Sequence, residues 1–507
     1  LAASRISSMT ASDVRDRLDQ RFKLLVGTRR GLERHQTLRQ AVQWSYDLLD
    51  DAEKALLARC SVFSGGFDVQ SVCAVAGFDD GDDFAVLDLL DALVRKSLLV
   101  TDRSTGRARF SMLETIRQFA EEQLAASGEA TDARTAHAGY FAGREADIFA
   151  LWDGPRQLDA YIWFANELAN LRAAFRWAAE HGDLDVAAPI VVYAALFGNC
   201  VENTEPLAWA EELIEPARAV DHPRLVSLYV MATWCWAIGR IEEAIRYSEA
   251  GQKLVLSGRN AMPAGFETWF AGVFNMIGQA ERTVEWCRAL LAHGPDPYGL
   301  VSAGLILGLI RTGDDAEAIA VAKQLVDAAD AIPNPWARSY ALLIYGMACC
   351  DADPLNAREA LRRGLASAHE SGNRYNESHM ANVLGRLEAR YGDPLAAMEH
   401  LSLAIHNYHD SGNFAVMRVP LASLAALLHR LGCHKPGATI AGYAFSPITK
   451  GWVPELGTAI TELREVLGDD QYESLARRGE AMTTSAMAAY AYDQIEQARA
   501  ELNAVSK

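Results

Sequence analysis

An internal repeat in the second half of the chain constrains the fold most strongly. Successive copies lie 35 to 40 residues apart. Each copy has a small residue followed five positions later by a second small residue or Thr: Gly239 and Ala244, Gly278 and Thr283, Gly313 and Ala318, Ala352 and Ala357, Gly392 and Ala397, Gly432 and Gly437. This period indicates stacked helical hairpins that bury their apolar faces against their neighbours. We therefore expect TPR-like helical repeats over 185–445, and such arrays usually bind partners rather than do chemistry.

Composition limits the class of protein further. The chain has 507 residues, a net charge of −18 and eight cysteines. This length favours several domains. The sequence has neither an apolar run long enough to cross a membrane nor a C-x-x-C pair, so we expect no membrane contact and no metal site. Scattered cysteines fit a reducing cytoplasm. No catalytic residue is nominated.

The charge is unevenly distributed. Residues 1–40 hold nine Arg or Lys and four Asp or Glu, whereas the rest of the chain is strongly acidic. This first segment either faces an anionic partner, such as a nucleotide or an acidic domain, or forms a solvated basic helix face. The acidic remainder argues against non-specific binding of nucleic acid.

Residues 35–125 carry the pattern of a winged-helix domain, with helices followed by a strand hairpin. A helix from Thr37 to Leu49 is predicted to bury one face, which includes Val42, Trp44 and Leu48. Strand-like segments at 98–101 and 108–112 flank a Ser-Thr-Gly turn. The helix in the recognition position, 82–96, has four Asp against Arg95 and Lys96. Because phosphates repel an acidic helix, we expect this domain to pack against protein rather than DNA.

The remaining boundaries follow from helical patterns and breaks. We predict a helical connection over 126–184 and a terminal helical segment over 446–507. Residues 442–454 contain Gly, Pro and aromatic residues, and this composition is typical of a linker. The fold class is therefore mostly α, with a winged-helix domain followed by a TPR-like α-superhelix.

Seven short motifs along nearly the whole chain resemble STAND-type, NB-ARC-like signalling ATPases of actinobacteria, including LuxR-family and cyclase-linked regulators. They are RLDQRFKLL at 17–25, RHQTLR at 34–39, WSYDLL at 44–49, FSGGF at 63–67, MLETIRQFA at 112–120, ELANLRAA at 167–174 and GEAM at 479–482. In that family a P-loop ATPase domain and its helical lid precede the winged helix and the TPR-like array. A LuxR-type DNA-binding domain often follows, and some members carry a class III nucleotide cyclase domain in front.

The resemblance implies that residues 1–34 are a remnant of the ATPase lid. The sequence contains no G-x-x-x-x-G-K-[ST], so ATP or ADP is expected in an upstream P-loop domain and no cofactor in this chain. The implied partners are that upstream domain, a protein, peptide or small-molecule inducer on the repeats, and a second copy of the protein. The full-length protein would be an ATPase or a nucleotide cyclase.

One position departs from the family pattern. NB-ARC relatives have Met-His-Asp in the winged helix, and the His touches the nucleotide phosphates in the closed state. The matching residues here are Met112, Leu113 and Glu114. Leucine cannot donate a hydrogen bond to phosphate, so another group must lock the closed state. Arg29, Arg30 and Arg117 are the nucleotide-facing candidates.

Aromatic residues are dense in the early repeats. Trp234, Trp236 and Trp269 are the candidates for a ligand groove, because large aromatic side chains are good anchors in concave surfaces. The alternative is that they only pack one repeat against the next. Three histidines, His400, His406 and His409, are interpreted as solvated polar groups rather than metal ligands.

The sequence is compatible with three functions. The first is a regulatory and sensor module that controls a nucleotide-dependent switch in a transcriptional or signalling regulator. The second is the regulatory part of a protein linked to a class III nucleotide cyclase. The third is a plain protein-binding scaffold.

Overall fold

The computed structural model describes residues 39–77, 83–102, 108–260, 263 and 265–505. The predicted lid remnant, with Arg29 and Arg30, lies outside these residues. Contacts divide the chain into two units. The first comprises Leu1–Arg144 and Asn166–Val186, and the second comprises Glu145–Ala165 and Ala187–Lys507.

The first unit contains a helical bundle with a small β-hairpin. Residues 39–47 are helical. Its complete elements are α1 (Asp51–Cys60), α2 (Val69–Ala76), α3 (Asp83–Arg95), β1 (Val100–Asp102), β2 (Arg109–Ser111), α4 (Glu114–Ser127) and α5 (Ala130–Gly143). The strands pair antiparallel, with Thr101 opposite Phe110. This order of helices and hairpin confirms the winged-helix fold.

Local signals in the sequence fix where these helices begin. Asp50 accepts a hydrogen bond from the backbone N–H of Glu53, and the Glu53 carboxylate accepts one from the backbone N–H of Asp50. Asp68 and Ser71 form the same reciprocal box before α2. Each box satisfies amide groups that the first helical turn leaves without partners.

The core of the first unit contains a row of aromatic side chains. Phe63 stacks on Phe67 with ring centroids 4.8 Å apart, and Phe67 lies 6.3 Å from Phe110 on β2. His137 of α5 contacts the ring of Phe63 and that of Phe141. The backbones of Phe67 and Phe110 also exchange two hydrogen bonds of 2.8 Å, which tie the segment before α2 to the hairpin.

One buried amide connects two motifs that are about 100 residues apart in sequence. The Asn170 Oδ1 atom accepts hydrogen bonds from the backbone N–H groups of Ser64 (2.8 Å) and Gly65 (3.3 Å). Its Nδ2 group donates to the Gly66 carbonyl and to Glu167. Glu167 pairs with Arg109 at 2.5 Å, with both side chains largely buried. The FSGGF turn is therefore held by the helix that carries ELANLRAA.

The predicted buried face of the helix at 37–49 is wrong in part. Val42 and Leu49 are buried, whereas Trp44 is 69% exposed and Leu48 is 59% exposed. The apolar positions of this helix therefore fall on two faces, and only one of them packs into the core of the first unit.

The second unit is formed by helices throughout. Its first elements are α6 (Glu145–Trp152), α7 (Gln157–Glu180), α8 (Leu184–Cys200) and α9 (Glu205–Ala219), and the division into units passes through α7 and α8. Six helical pairs follow. They are α10 (Leu225–Thr233) and the 3₁₀ segment Trp234–Ile238 with α11 (Ile241–Leu256); the 3₁₀ segment Phe266–Ala271 and α12 (Gly272–Met276) with α13 (Ala280–His293); α14 (Leu300–Thr312) with α15 (Asp315–Ala329); α16 (Pro335–Cys349) with α17 (Pro354–Glu370); α18 (Arg374–Tyr391) with α19 (Pro394–Ser411); and α20 (Phe414–Arg430) with α21 (His434–Ala444).

The repeat read from the sequence is confirmed. Each of the six turn residues, from Gly239 to Gly432, stands two positions before the second helix of its pair. Four of them, Gly239, Gly278, Gly313 and Gly432, have positive φ, a conformation that glycine adopts without strain. The six second small positions, from Ala244 to Gly437, are all buried.

The predicted linker at 442–454 is wrong, because this segment is helical. Residues up to Ala444 complete α21, and α22 (Pro447–Trp452) follows after two residues. Ser446 caps α22 in a reciprocal box with Thr449, and Pro447 occupies its first turn, where a missing N–H has no cost. The chain ends in α23 (Pro454–Leu467), α24 (Asp469–Glu480) and α25 (Thr484–Val505). Within the described residues, no helix is both long and apolar enough to cross a membrane.

Two glycines allow α21 and α24 to meet backbone to backbone, and replacing either should destabilise the second unit. A Cβ atom at Gly442 would overlap the backbone of Ala476, and one at Gly479 would overlap the carbonyl of Thr439. We expect Gly442→Ala and Gly479→Ala each to lower the free energy of unfolding by about 2 kcal/mol or more, measured by chemical denaturation.

Gly457 in α23 is the matched control, because a Cβ there meets no atom within 4 Å. Gly457→Ala should leave stability unchanged or raise it by about 0.5 kcal/mol through helix propensity. Equal effects at all three positions would contradict the close packing.

Removing the Asn170 amide should destabilise the first unit. Asn170→Ala leaves the turn amides of Ser64 and Gly65 without their acceptor, and unpaired buried groups cost about 1–3 kcal/mol each. We expect a loss of about 2–3 kcal/mol in denaturant unfolding, against a change within about 0.5 kcal/mol for the exposed Asn503→Ala. A loss no larger than that of the control would contradict this role.

Candidate ligand cavity

The inner faces of the six pairs surround one cavity of about 150 Å³ in the second unit. The first helix of every pair contributes side chains to its wall, and Trp452 of α22 completes it. The wall is mainly apolar.

The three predicted groove residues lie together in this wall. Trp234 is 4.9 Å from Trp269 and 5.5 Å from Trp236, measured between ring centroids. All three stand in the two 3₁₀ segments. The structure thus brings them together at the cavity, and ligand binding by them stays a prediction.

Sequence reasoning missed four further aromatic residues of the wall: Trp336, Tyr340, Tyr375 and Trp452. Trp336 stacks on Tyr340 with ring centroids 5.3 Å apart and planes within 7°. A signal for them exists in the sequence, since Trp336 and Tyr340 precede Tyr375 and His379 by 39 residues, which is one repeat period. Trp452 had no such signal, because it lies on the segment interpreted as a linker.

A ring contact joins the first pair to the fifth. Trp234 meets Tyr375 edge to face at 5.5 Å, and Tyr375 is in turn 4.2 Å from His379. The six pairs therefore curl so tightly that residues more than 100 positions apart form one wall. Trp336 reaches Phe266 and Trp269 of the second pair in the same way.

His379 contributes an imidazole ring to this wall. Its Nδ1 atom lies 2.9 Å from the Tyr375 carbonyl, which can only accept, so Nδ1 donates the hydrogen bond. Burial lowers the pKa of His379 to about 4, because the charged ring would lose its hydration. The ring is therefore neutral at pH 7, with Nε2 as an acceptor.

Two further spaces share parts of the cavity wall. One contains Glu202, whose pKa is raised to about 8 by burial against the opposing effect of Arg374. The other lies beside Trp452, where the Arg311 guanidinium stands 5.0 Å from the indole ring. Burial lowers the pKa of Arg311. The main cavity itself has no Asp, Glu, Lys or Arg among its described lining residues.

Among the nucleotide-facing candidates, only Arg117 is described, on α4 in the first unit. Its guanidinium lies 2.8 Å from Glu114 and 3.4 Å from Glu121, and it also reaches the Ser61 carbonyl. Arg117 is therefore held by acids of its own helix. Leu113 stands just before α4 and is exposed.

The cations next to the acidic helix α3 are paired with carboxylates. Arg95 pairs with Asp91, and the Lys96 ammonium lies 2.6 Å from Glu53. The three histidines near residue 400 stand on α19. His406 pairs with Asp410 at 3.2 Å, and His409 meets Ser485. The described residues contain no group of three potential metal ligands.

Comparisons with known proteins agree with the fold of the first unit. Residues 49–125 match the winged helix-turn-helix domain family. Two similar proteins, from Mycobacterium tuberculosis and Mycobacterium bovis, have names that describe them as inferred HTH-type transcriptional regulators. Each is 33% identical to this chain over 407 residues, which cover 78% of this chain and 42% of theirs. The chain thus spans less than half the length of these relatives.

Two further similarities are more limited. An uncharacterized protein of Mycobacterium tuberculosis is 39% identical over 132 residues, which cover 26% of this chain and 34% of that protein. The crystal structure of a STAND protein with a tetratricopeptide repeat sensor, from Pyrococcus horikoshii, has a TM-score of 0.47 at 14% identity. That match covers 94% of this chain and 73% of the other.

The neutral state of His379 predicts a pH dependence of stability. The unfolded chain takes up a proton near the ordinary pKa of 6.5, whereas the folded chain does so only near 4. Proton uptake therefore favours unfolding as pH falls from 6.5 to 4, and the stabilisation present above pH 6.5 is lost. For this group the loss is about 3 kcal/mol.

Carboxylates titrate in the same range, so the measurement compares variants by urea unfolding at pH 7, 5.5 and 4.5. Relative to the wild type, His379→Gln should gain stability at each step toward acid. His293→Gln, at an exposed position, should run parallel to the wild type. Parallel curves for both variants would contradict the buried neutral ring.

Proposed function

We propose that this chain is the regulatory and sensor module of a STAND-type signalling ATPase that acts in transcriptional or signalling control. The cavity lined by all six helical pairs carries the proposal. A pocket lined by aromatic side chains with few polar groups is the usual form of a small-ligand site. The likeness to proteins named as HTH-type transcriptional regulators supports a regulatory role.

In this proposal an upstream P-loop domain binds ATP or ADP, and the winged helix packs against it. Exposed apolar side chains support a protein partner for the winged helix: Trp44, Leu48 and Phe84 are all largely accessible in the described first unit. The pairing of Arg95 and Lys96 with carboxylates argues against DNA as that partner.

The switch works only if the ligand prefers one state. Binding in the cavity would favour either a closed, ADP-bound arrangement or an open one that can oligomerise, in proportion to the difference in affinity. Arg117, beside the exposed Leu113, is a candidate for contact with nucleotide phosphates in the closed state, as are Arg29 and Arg30. Reaching phosphate would require Arg117 to exchange its contacts with Glu114 and Glu121.

The test uses the longest natural protein that contains this chain. Val383→Phe fills the cavity, and Val466→Phe adds the same volume at an exposed position of α23. We expect Val383→Phe to change ATP turnover or the oligomer distribution about fivefold or more, the lower end of typical allosteric coupling. Val466→Phe should match the wild type.

Two results would overturn the proposal. If Val383→Phe leaves both turnover and oligomerisation unchanged, the cavity does not control a switch. If calorimetry with ADP gives no binding heat, the protein has no nucleotide link and the scaffold function is favoured. Formation of cyclic nucleotide by the same protein would instead support the cyclase-linked alternative.

A further inference from the structure

We propose that the cavity takes a small, uncharged molecule with one flat ring and with groups that both donate and accept hydrogen bonds. This inference rests on the proposed sensor function, and it names the chemical class of the ligand. The volume, charge, ring geometry and polar groups of the wall each support it.

The volume limits the size of the ligand body. An apolar cavity of about 150 Å³ has room for a molecule the size of benzene. An extended peptide would require backbone partners along its length, and the described wall is mainly apolar. A single-ring molecule fits this space, whereas a peptide strand does not.

The charge of the wall excludes an ion. No Asp, Glu, Lys or Arg stands among the described lining residues, and His379 carries no charge at pH 7. A carboxylate or ammonium group would lose its hydration here without gaining a partner of opposite charge. Glu202 and Arg311 line the adjoining spaces and not the cavity itself.

The aromatic side chains of the wall present both edges and faces. Trp234 meets Trp269 at 81° and Tyr375 at 83°, whereas Trp336 and Tyr340 are nearly parallel. Ring edges are positive and ring faces negative, so such a mixture suits a flat ring that can stack on one side chain and meet another at its edge.

Four polar atoms in side chains of the wall are buried and without a hydrogen-bond partner in the described structure. Two are donors, the indole nitrogens of Trp234 and Trp336, and two are acceptors, the Oδ1 atoms of Asn275 and Asn382. Leaving such groups unsatisfied is costly, so a ligand that offers both an acceptor and a donor gains by pairing with them after small side-chain rotations. The Nε2 atom of neutral His379 adds an acceptor.

Two other ligand classes that bind to aromatic walls fit this cavity less well. A quaternary ammonium ion binds to ring faces but offers no hydrogen bond, so the indole and amide groups would stay unpaired. A sugar has a hydroxyl group on most carbons, more than the few polar groups of this wall can satisfy.

The test titrates the 507-residue chain at pH 7 with four probes: p-cresol, p-toluate, tetramethylammonium and maltose. Binding is measured by calorimetry and by the fluorescence of the tryptophans. We expect saturable binding of p-cresol at one site, with the other three at least about tenfold weaker. Equal or tighter binding of any of the three overturns the assignment, and so does the absence of p-cresol binding.

Variants locate the site. Asn382→Leu removes one acceptor and Trp234→Phe removes one donor, and each should weaken p-cresol binding about fivefold. Trp209→Phe is the matched control, since Trp209 is fully buried in α9 and does not line the cavity. Val383→Phe should abolish binding by occupying the space. Thermal unfolding confirms that each variant is folded, and unchanged affinity in Asn382→Leu and Val383→Phe would overturn the proposal.

Different experimental results would overturn this inference and the proposed function. If maltose or tetramethylammonium binds in preference and changes ATP turnover in the longer protein, the sensor function stands and the ligand class is wrong. If p-cresol binds as expected but Val383→Phe leaves turnover and oligomerisation unchanged, the ligand class stands and the sensor function is wrong.

Discussion

The close approach of the two helices in each pair is the constraint on which the second unit depends. Buried small side chains recur at the same place in all six second helices, from Ala244 to Gly437. Some first helices also have a small residue at the contact: Gly346 lies against Leu361, and Gly385 lies against Leu401. A small residue on one side of each contact lets the paired helices approach closely, and the inner faces of the first helices carry large aromatic side chains.

The large side chains on the inner faces of the first helices form the cavity. Most side chains of its wall come from the first helices of the pairs, and most are aromatic or aliphatic. A wall of this kind desolvates whatever enters it, so the few unpaired dipoles, such as those of Trp234 and Asn382, have a large effect on which molecule is accepted. Selectivity then depends on matching hydrogen bonds more than on total apolar contact.

The sequence allowed the helical pairs to be predicted because glycine turns and buried alanines are local signals. Trp234, Trp236 and Trp269 could be nominated for the same reason, since they stand in marked repeats. The enclosure of the cavity could not be predicted, because the contact of Trp234 with Tyr375 depends on curvature summed over several pairs. Composition also misled at 442–454, where Gly and Pro suggested a break while Ser446 and Thr449 cap a helix. Trp44 was placed on the wrong face, because a pattern of apolar residues does not say which neighbour covers them.

The contact between the first and fifth pairs changes how the array should melt. In a linear stack each helical pair interacts only with its neighbours, so the ends fray and unfolding spreads inward. Here Trp234 and Tyr375 connect the first helical pair with the fifth, and Trp336 connects the fourth pair with the second. The array is therefore held together by contacts between distant pairs as well as between neighbouring pairs. Opening a pair that lines the cavity also breaks contacts with distant pairs, so we expect the array to unfold cooperatively rather than segment by segment.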